Sequence, residues 1–90
     1  MDKLQLLVFS FYREDTEIKE LLHPLCYCRI TRCRESICID CANAKHCEEV
    51  SKLLIYLAPP FALLGFARQI ILRVPGCVGN IFPIDVHSHF

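Results

Sequence analysis

Six of the seven cysteines in this ninety-residue chain lie between Cys26 and Cys47, and that clustering constrains the fold more than any other feature. The spacing is Cys26-x-Cys28-x4-Cys33-x4-Cys38-x2-Cys41-x5-Cys47. So short a chain makes one small domain, residues 1–90, whose apolar core alone is thin, and a covalent or metal staple would change whether it folds at all. An odd cysteine count leaves at least one thiol unpaired in a fully oxidised monomer, and Cys77, far from the cluster, is the natural one to be left over.

Three fates are open to the clustered thiols: metal ligation, disulfides, or burial as small hydrophobes. Residues 4–12 are apolar but are preceded by one basic residue, Lys3, and lack a small-x-small cleavage pattern. They do not resemble an export signal. The expected compartment is therefore intracellular and cytoplasmic, where reducing conditions favour metal over disulfides. In the Cys38-x2-Cys41 pair, two intervening residues let both sulfurs turn to one side of a tight loop. With Asp40 as an N-cap, Cys41 would open a helix whose positive end favours thiolate, and Cys47 would follow on that helix. The expected metal ligands are Cys33, Cys38, Cys41 and Cys47, holding zinc or, as the alternative, an iron–sulfur cluster. Cys26 and Cys28 are substitute ligands or a redox pair, and His46 and His23 are alternative nitrogen ligands.

That ligand pattern resembles the iron–sulfur spacing of WhiB-like regulators and of the cluster lobes of RecB-type nucleases, over Cys33, Cys38, Cys41 and Cys47 alone. The resemblance implies that an iron–sulfur cluster is an option and transfers no activity. At the other end, Ile84-Asp85-Val86-His87-Ser88-His89-Phe90 resembles the strand-end His-x-His motif of the amidohydrolase superfamily, in which two imidazoles on one strand face hold a catalytic metal. That superfamily completes the site on later strands of a barrel of about 250 residues.

Apolar periodicity predicts the rest. Residues 3–12 read as a buried strand, with a helix as competitor. Asp15 caps a short helix over Thr16–His23 that Pro24 ends, completing a strand-plus-helix unit over 1–24. Residues 25–47 read as a cysteine-rich loop. A helical hairpin spans 41–74, its helices at about 41–58 and 60–74 and separated by Pro59-Pro60. The remainder, 75–90, is a tail with a short edge strand at 81–86. The fold class expected is mainly α with a small β component, a metal-stapled loop leading into an αα-hairpin.

Fifteen residues from Leu53 to Ala67 carry no charge, fewer than the roughly 20 that cross a bilayer. The 53–72 segment is expected to contact a protein partner or a second copy of the chain. A short membrane-associated accessory protein with a proline-kinked 53–72 insertion is the alternative. Net charge is zero, which disfavours nucleic acid despite Arg29, Arg32 and Arg34 among the cysteines. No phosphate loop or catalytic triad is discernible, so the function expected is that of a small, non-enzymatic metal-binding protein.

Overall fold

The cysteine-rich stretch is not a loop. In the computed structural model, which describes residues 2–77 and 79–84, Arg29–Cys33 (β1) and Ser36–Asp40 (β2) form an antiparallel hairpin. Residues Ile30, Ile37 and Ile39 alternate with polar or thiol side chains, the period-two pattern of a strand. The two-residue connection lacks the Asn-Gly or Asp-Gly that usually advertises a hairpin. Arg34 instead takes the left-handed conformation, with φ 57°.

Two further strands complete a mixed four-stranded sheet in the order β1-β2-β3-β4. Gln69–Arg73 (β3) runs parallel to β2, and Asn80–Pro83 (β4) returns antiparallel to β3. The chain is thus a small α/β domain, and the expectation of a mainly α protein built on an αα-hairpin is overturned. Residues 60–74 do not form one helix: the chain turns at Gly65, φ 78°, and the β-branched run Ile70-Ile71 enters the sheet. Residues 81–83 are in an edge strand as expected, and they pair with β3.

Residues 3–12 are not a strand either, because Lys3–Phe11 (α1) is a helix. Its start is a capping box: the Asp2 carboxylate accepts the Gln5 N–H and the Gln5 side chain accepts the Asp2 N–H. The other Asp2 oxygen accepts the Ile30 N–H at 3.0 Å, so one side chain ties the start of α1 to β1. Thr16–Leu21 (α2) is capped by Asp15 as expected, and a 3-10 turn follows over His23–Tyr27.

The expected 41–58 helix is divided. Ala44–Ser51 (α3) is capped by Asn43, three residues later than the Asp40 expected to cap it, and Leu54–Ala62 (α4) follows with Pro59 and Pro60 inside it. The reason is that Asp40 is still strand: the Cys41 N–H donates to the Arg73 carbonyl at 2.8 Å, extending the β2–β3 ladder one step further. Among the described residues no helix is long and apolar enough to cross a membrane.

One face of the sheet carries the core. Ile30 pairs with Ile39 and Ile39 with Leu72, while Ile37 pairs with Ile70 and Ile70 with Phe82. Val8, Leu22, Leu25, Val50, Leu57 and Phe61 from the helices and the 3-10 turn are fully buried in the same cluster. Truncating Phe61 to Ala would cost about 3–5 kcal/mol by cavity formation. Arg32 ends one core row with its guanidinium 3.7 Å from the centre of the Phe66 ring.

Candidate metal centre

Cys28, Cys41 and His46 reach one point from three segments. Cys28 ends the 3-10 turn, Cys41 leaves β2, and His46 lies in the first turn of α3, where its own N–H is held by the Asn43 cap at 2.9 Å. Their ligand atoms all lie within 4.8 Å of one another. A tetrahedral zinc with sulfur ligands separates them by about 3.8 Å, so a contraction of roughly 1 Å closes the set. These three residues are therefore close enough to share a metal ion. Cys47 is buried in the same core cluster as Cys41 but lies outside the three-residue set.

The pocket is held from outside. Gln5, buried, donates one amide hydrogen to the Leu25 carbonyl at 2.8 Å and the other to the Cys28 carbonyl at 2.7 Å. Cys28 is thus positioned by α1, twenty-three residues upstream. Burial pushes the Cys28 thiol up to about 11, only partly offset by its contact with Cys41. Burial raises Cys41 further, with its neighbours Cys28 and Cys47 acting in the same direction. Without an ion these thiols are neutral and chemically quiet. A cation is the partner that would make thiolates of them.

His46 has commitments of its own. The Ala42 N–H donates to Nδ1 at 2.9 Å, so the neutral ring carries its proton on Nε2, which donates to the Pro24 carbonyl at 2.8 Å. Nε2 also lies 3.7 Å from the Cys28 sulfur. Ligation through Nε2 requires the proton to move to Nδ1 and the Ala42 N–H to swing away.

The four expected ligands are divided by the sheet. Cys41 is in the cluster and Cys47 is outside it, both buried. Cys33 and Cys38 project from the opposite face of the β1–β2 hairpin, the face that carries Thr31 and Ser36. In a loop, Cys38-x2-Cys41 would converge; in an extended strand an odd offset sends the two side chains to opposite faces. Cys28 and His46, weighed in the sequence only as substitutes, take the vacated places. The available signal was the apolar alternation of Ile37 and Ile39, which places Cys38 on the face of β2 away from the isoleucine core.

Of the other candidates, Cys26 is exposed, and His23 is exposed and pairs with the Tyr27 hydroxyl at 3.3 Å. Cys77 is exposed and lines a cleft of about 360 Å³ with Cys47, Glu48 and Phe82. His87 and His89 lie outside the described residues. Comparison with protein-family models, curated proteins and solved structures finds no match.

Proposed function

We propose that this chain is a small zinc-binding protein in which Cys28, Cys41 and His46, completed by Cys47, hold one structural ion. The observation that carries the reading is the convergence of three buried ligand atoms within 4.8 Å, with Cys28 reaching Cys41 and His46 from the separate 3-10 turn. The three cysteines are buried and His46 is only 9% exposed, which suits a closed structural site better than a catalytic one with an open position. Soft thiolates with one imidazole favour zinc over hard cations. Structural zinc contributes roughly 10–16 kcal/mol apparent, comparable with the whole stability of a domain this size. An iron–sulfur cluster is the alternative cargo.

The hydrogen bonds of His46 favour a second reading, a metal-free thiol core. Both ring nitrogens are already satisfied, and among the described residues no buried side-chain nitrogen or oxygen lacks a partner. Elemental analysis with an absorption spectrum of freshly purified protein decides between them. One equivalent of zinc and a colourless solution supports the first, a brown absorbing species indicates iron–sulfur, and a folded, metal-free protein indifferent to chelator overturns both metal readings.

For the 53–72 segment the reading is a protein contact, supported by Ile55 and Leu63, which stand 75% and 71% exposed on and just beyond α4. Light scattering across a dilution series tests self-association, and a monomer at every concentration removes the second copy as the partner.

A further inference from the structure

We infer that Cys33 and Cys38 are a second thiol site, independent of the metal centre, which closes reversibly into a cross-strand disulfide on the opposite face of the sheet. The hairpin register sets Cys33 opposite Ser36 and Cys38 opposite Thr31. Cys33 and Cys38 are therefore diagonal neighbours on one face. Their exposures are unequal: Cys33 is exposed at the end of β1, whereas Cys38 is 2% exposed in the middle of the sheet. That asymmetry separates the roles into an attacking thiol open to solvent and a resolving thiol beneath it.

The reaction partner is a low-molecular-weight disulfide such as oxidised glutathione. The Cys33 thiolate attacks one of its sulfurs, breaking the small disulfide and forming a mixed disulfide; the expelled thiolate takes up the proton that Cys33 gave up. The Cys38 thiolate then attacks the Cys33 sulfur, expelling the second small thiolate, which takes the Cys38 proton. Two protein thiols lose two protons and two electrons, and one small disulfide becomes two thiols.

Geometry makes the bond labile. Diagonal neighbours lie roughly 7–8 Å apart, against the ~4.4–6.8 Å that an unstrained disulfide spans between Cα atoms. Closing it draws the strands together beside the turn, and a strained disulfide is more easily reduced than a structural one. The pair thus behaves as a switch and not a staple. Cys41, three residues beyond Cys38, leaves β2 toward the other face, so oxidation does not use up a metal ligand.

Mass spectrometry of the whole chain after equilibration in mixtures of reduced and oxidised glutathione tests this, with zinc content measured on the same samples. Trypsin cuts after Arg32 and Arg34, leaving Cys33 apart from a peptide of residues 35–45 that carries both Cys38 and Cys41, and fragmentation between those two tells which is joined. The expected result is a loss of about 2 Da that dithiothreitol reverses, with the Cys33 and Cys38 peptides joined. Cys33→Ser should abolish the joined product, and Cys38→Ser should stop at a glutathione adduct on Cys33. A wild-type chain that stops at that adduct, or that joins another pair of cysteines, overturns the inference. Because the linkage is read by peptide mapping, it stands or falls regardless of whether zinc is found.

Discussion

The Tyr12 hydroxyl donates to the Tyr56 carbonyl at 2.6 Å, and that carbonyl is the one Pro60 leaves without a helical partner. In α4 the acceptor for residue 60 is residue 56, and proline has no N–H to give. The end of α1 thus supplies from outside the hydrogen bond that α4 cannot make for itself. Pro59 leaves the Ile55 carbonyl free in the same way, but Ile55 lies on the exposed side of the helix. This contact lets two consecutive prolines stand inside a helix where sequence rules place a break.

Tyr12→Phe should therefore cost about 1–3 kcal/mol by leaving a half-buried carbonyl unpaired. In a Pro60→Ala background the same substitution should cost less, because the backbone N–H restored at that position can reach the Tyr56 carbonyl. Denaturant unfolding of the four proteins in the cycle measures the difference, and equal costs in both backgrounds would show that the hydroxyl has no part in the repair.

Metal loading should discriminate between cysteines that the sequence treats alike. Cys28→Ser and Cys41→Ser should abolish zinc retention, while Cys33→Ser and Cys38→Ser should keep it, since their side chains leave the hairpin on the opposite face. Zinc per chain after desalting is the readout.

Gln5→Ala should reach the same site from a distance. It removes the side-chain donor from the Cys28 carbonyl and one of two donors from the Leu25 carbonyl, which keeps the Cys28 N–H, and it removes half of the α1 capping box. The expected cost is about 2–4 kcal/mol, accompanied by weaker zinc retention. Thermal unfolding and competition with a chelator would measure the two effects separately.

The metal-free chain should lose stability toward alkaline pH. Folding raises Cys28 from 9.0 to about 11 by burial, so the native state holds that proton more tightly than the unfolded state. The stabilisation is complete below the unfolded value and is lost as pH rises through the folded one. The loss should amount to roughly 2–3 kcal/mol between about pH 8.5 and 11, with Cys41 adding in the same direction. Denaturation at stepped pH reads it directly. Zinc-loaded protein should show a shallower alkaline slope and should instead release its ion in acid, where protons compete for the thiolates.

Arg34→Gly should stabilise the hairpin by about 0.5–1 kcal/mol, because glycine adopts φ 57° without the steric cost that an L side chain meets there. Urea unfolding midpoints would show it, and a lower midpoint would mean that the arginine side chain contributes more than its backbone strain costs.

Local signals were legible where they act locally. Asp15 caps α2 as its position suggests. The start of α1 is equally written in Asp2 and Gln5, a capping box that stands beside a run apolar enough to read as strand. The β1–β2 hairpin was harder to see: its alternation is present, but its turn uses Arg34 in a conformation that arginine rarely takes. The continuation of α4 through Pro59-Pro60 could not be read at all, because the compensating donor is forty-four residues away in Tyr12.

By itself, the sequence determined the inventory: thiols concentrated between Cys26 and Cys47, a histidine beside the last of them, and enough isoleucine and leucine for one small core. Only the tertiary structure decided which thiols meet. A strand turns successive side chains to opposite faces, so once Ser36–Asp40 joins the sheet, Cys38 and Cys41 are separated by the backbone between them. Packing of the 3-10 turn against α3 then brings Cys28 and His46 to Cys41. Spacing along the chain expresses how near two residues can come; the direction in which each one points is set by the element that holds it.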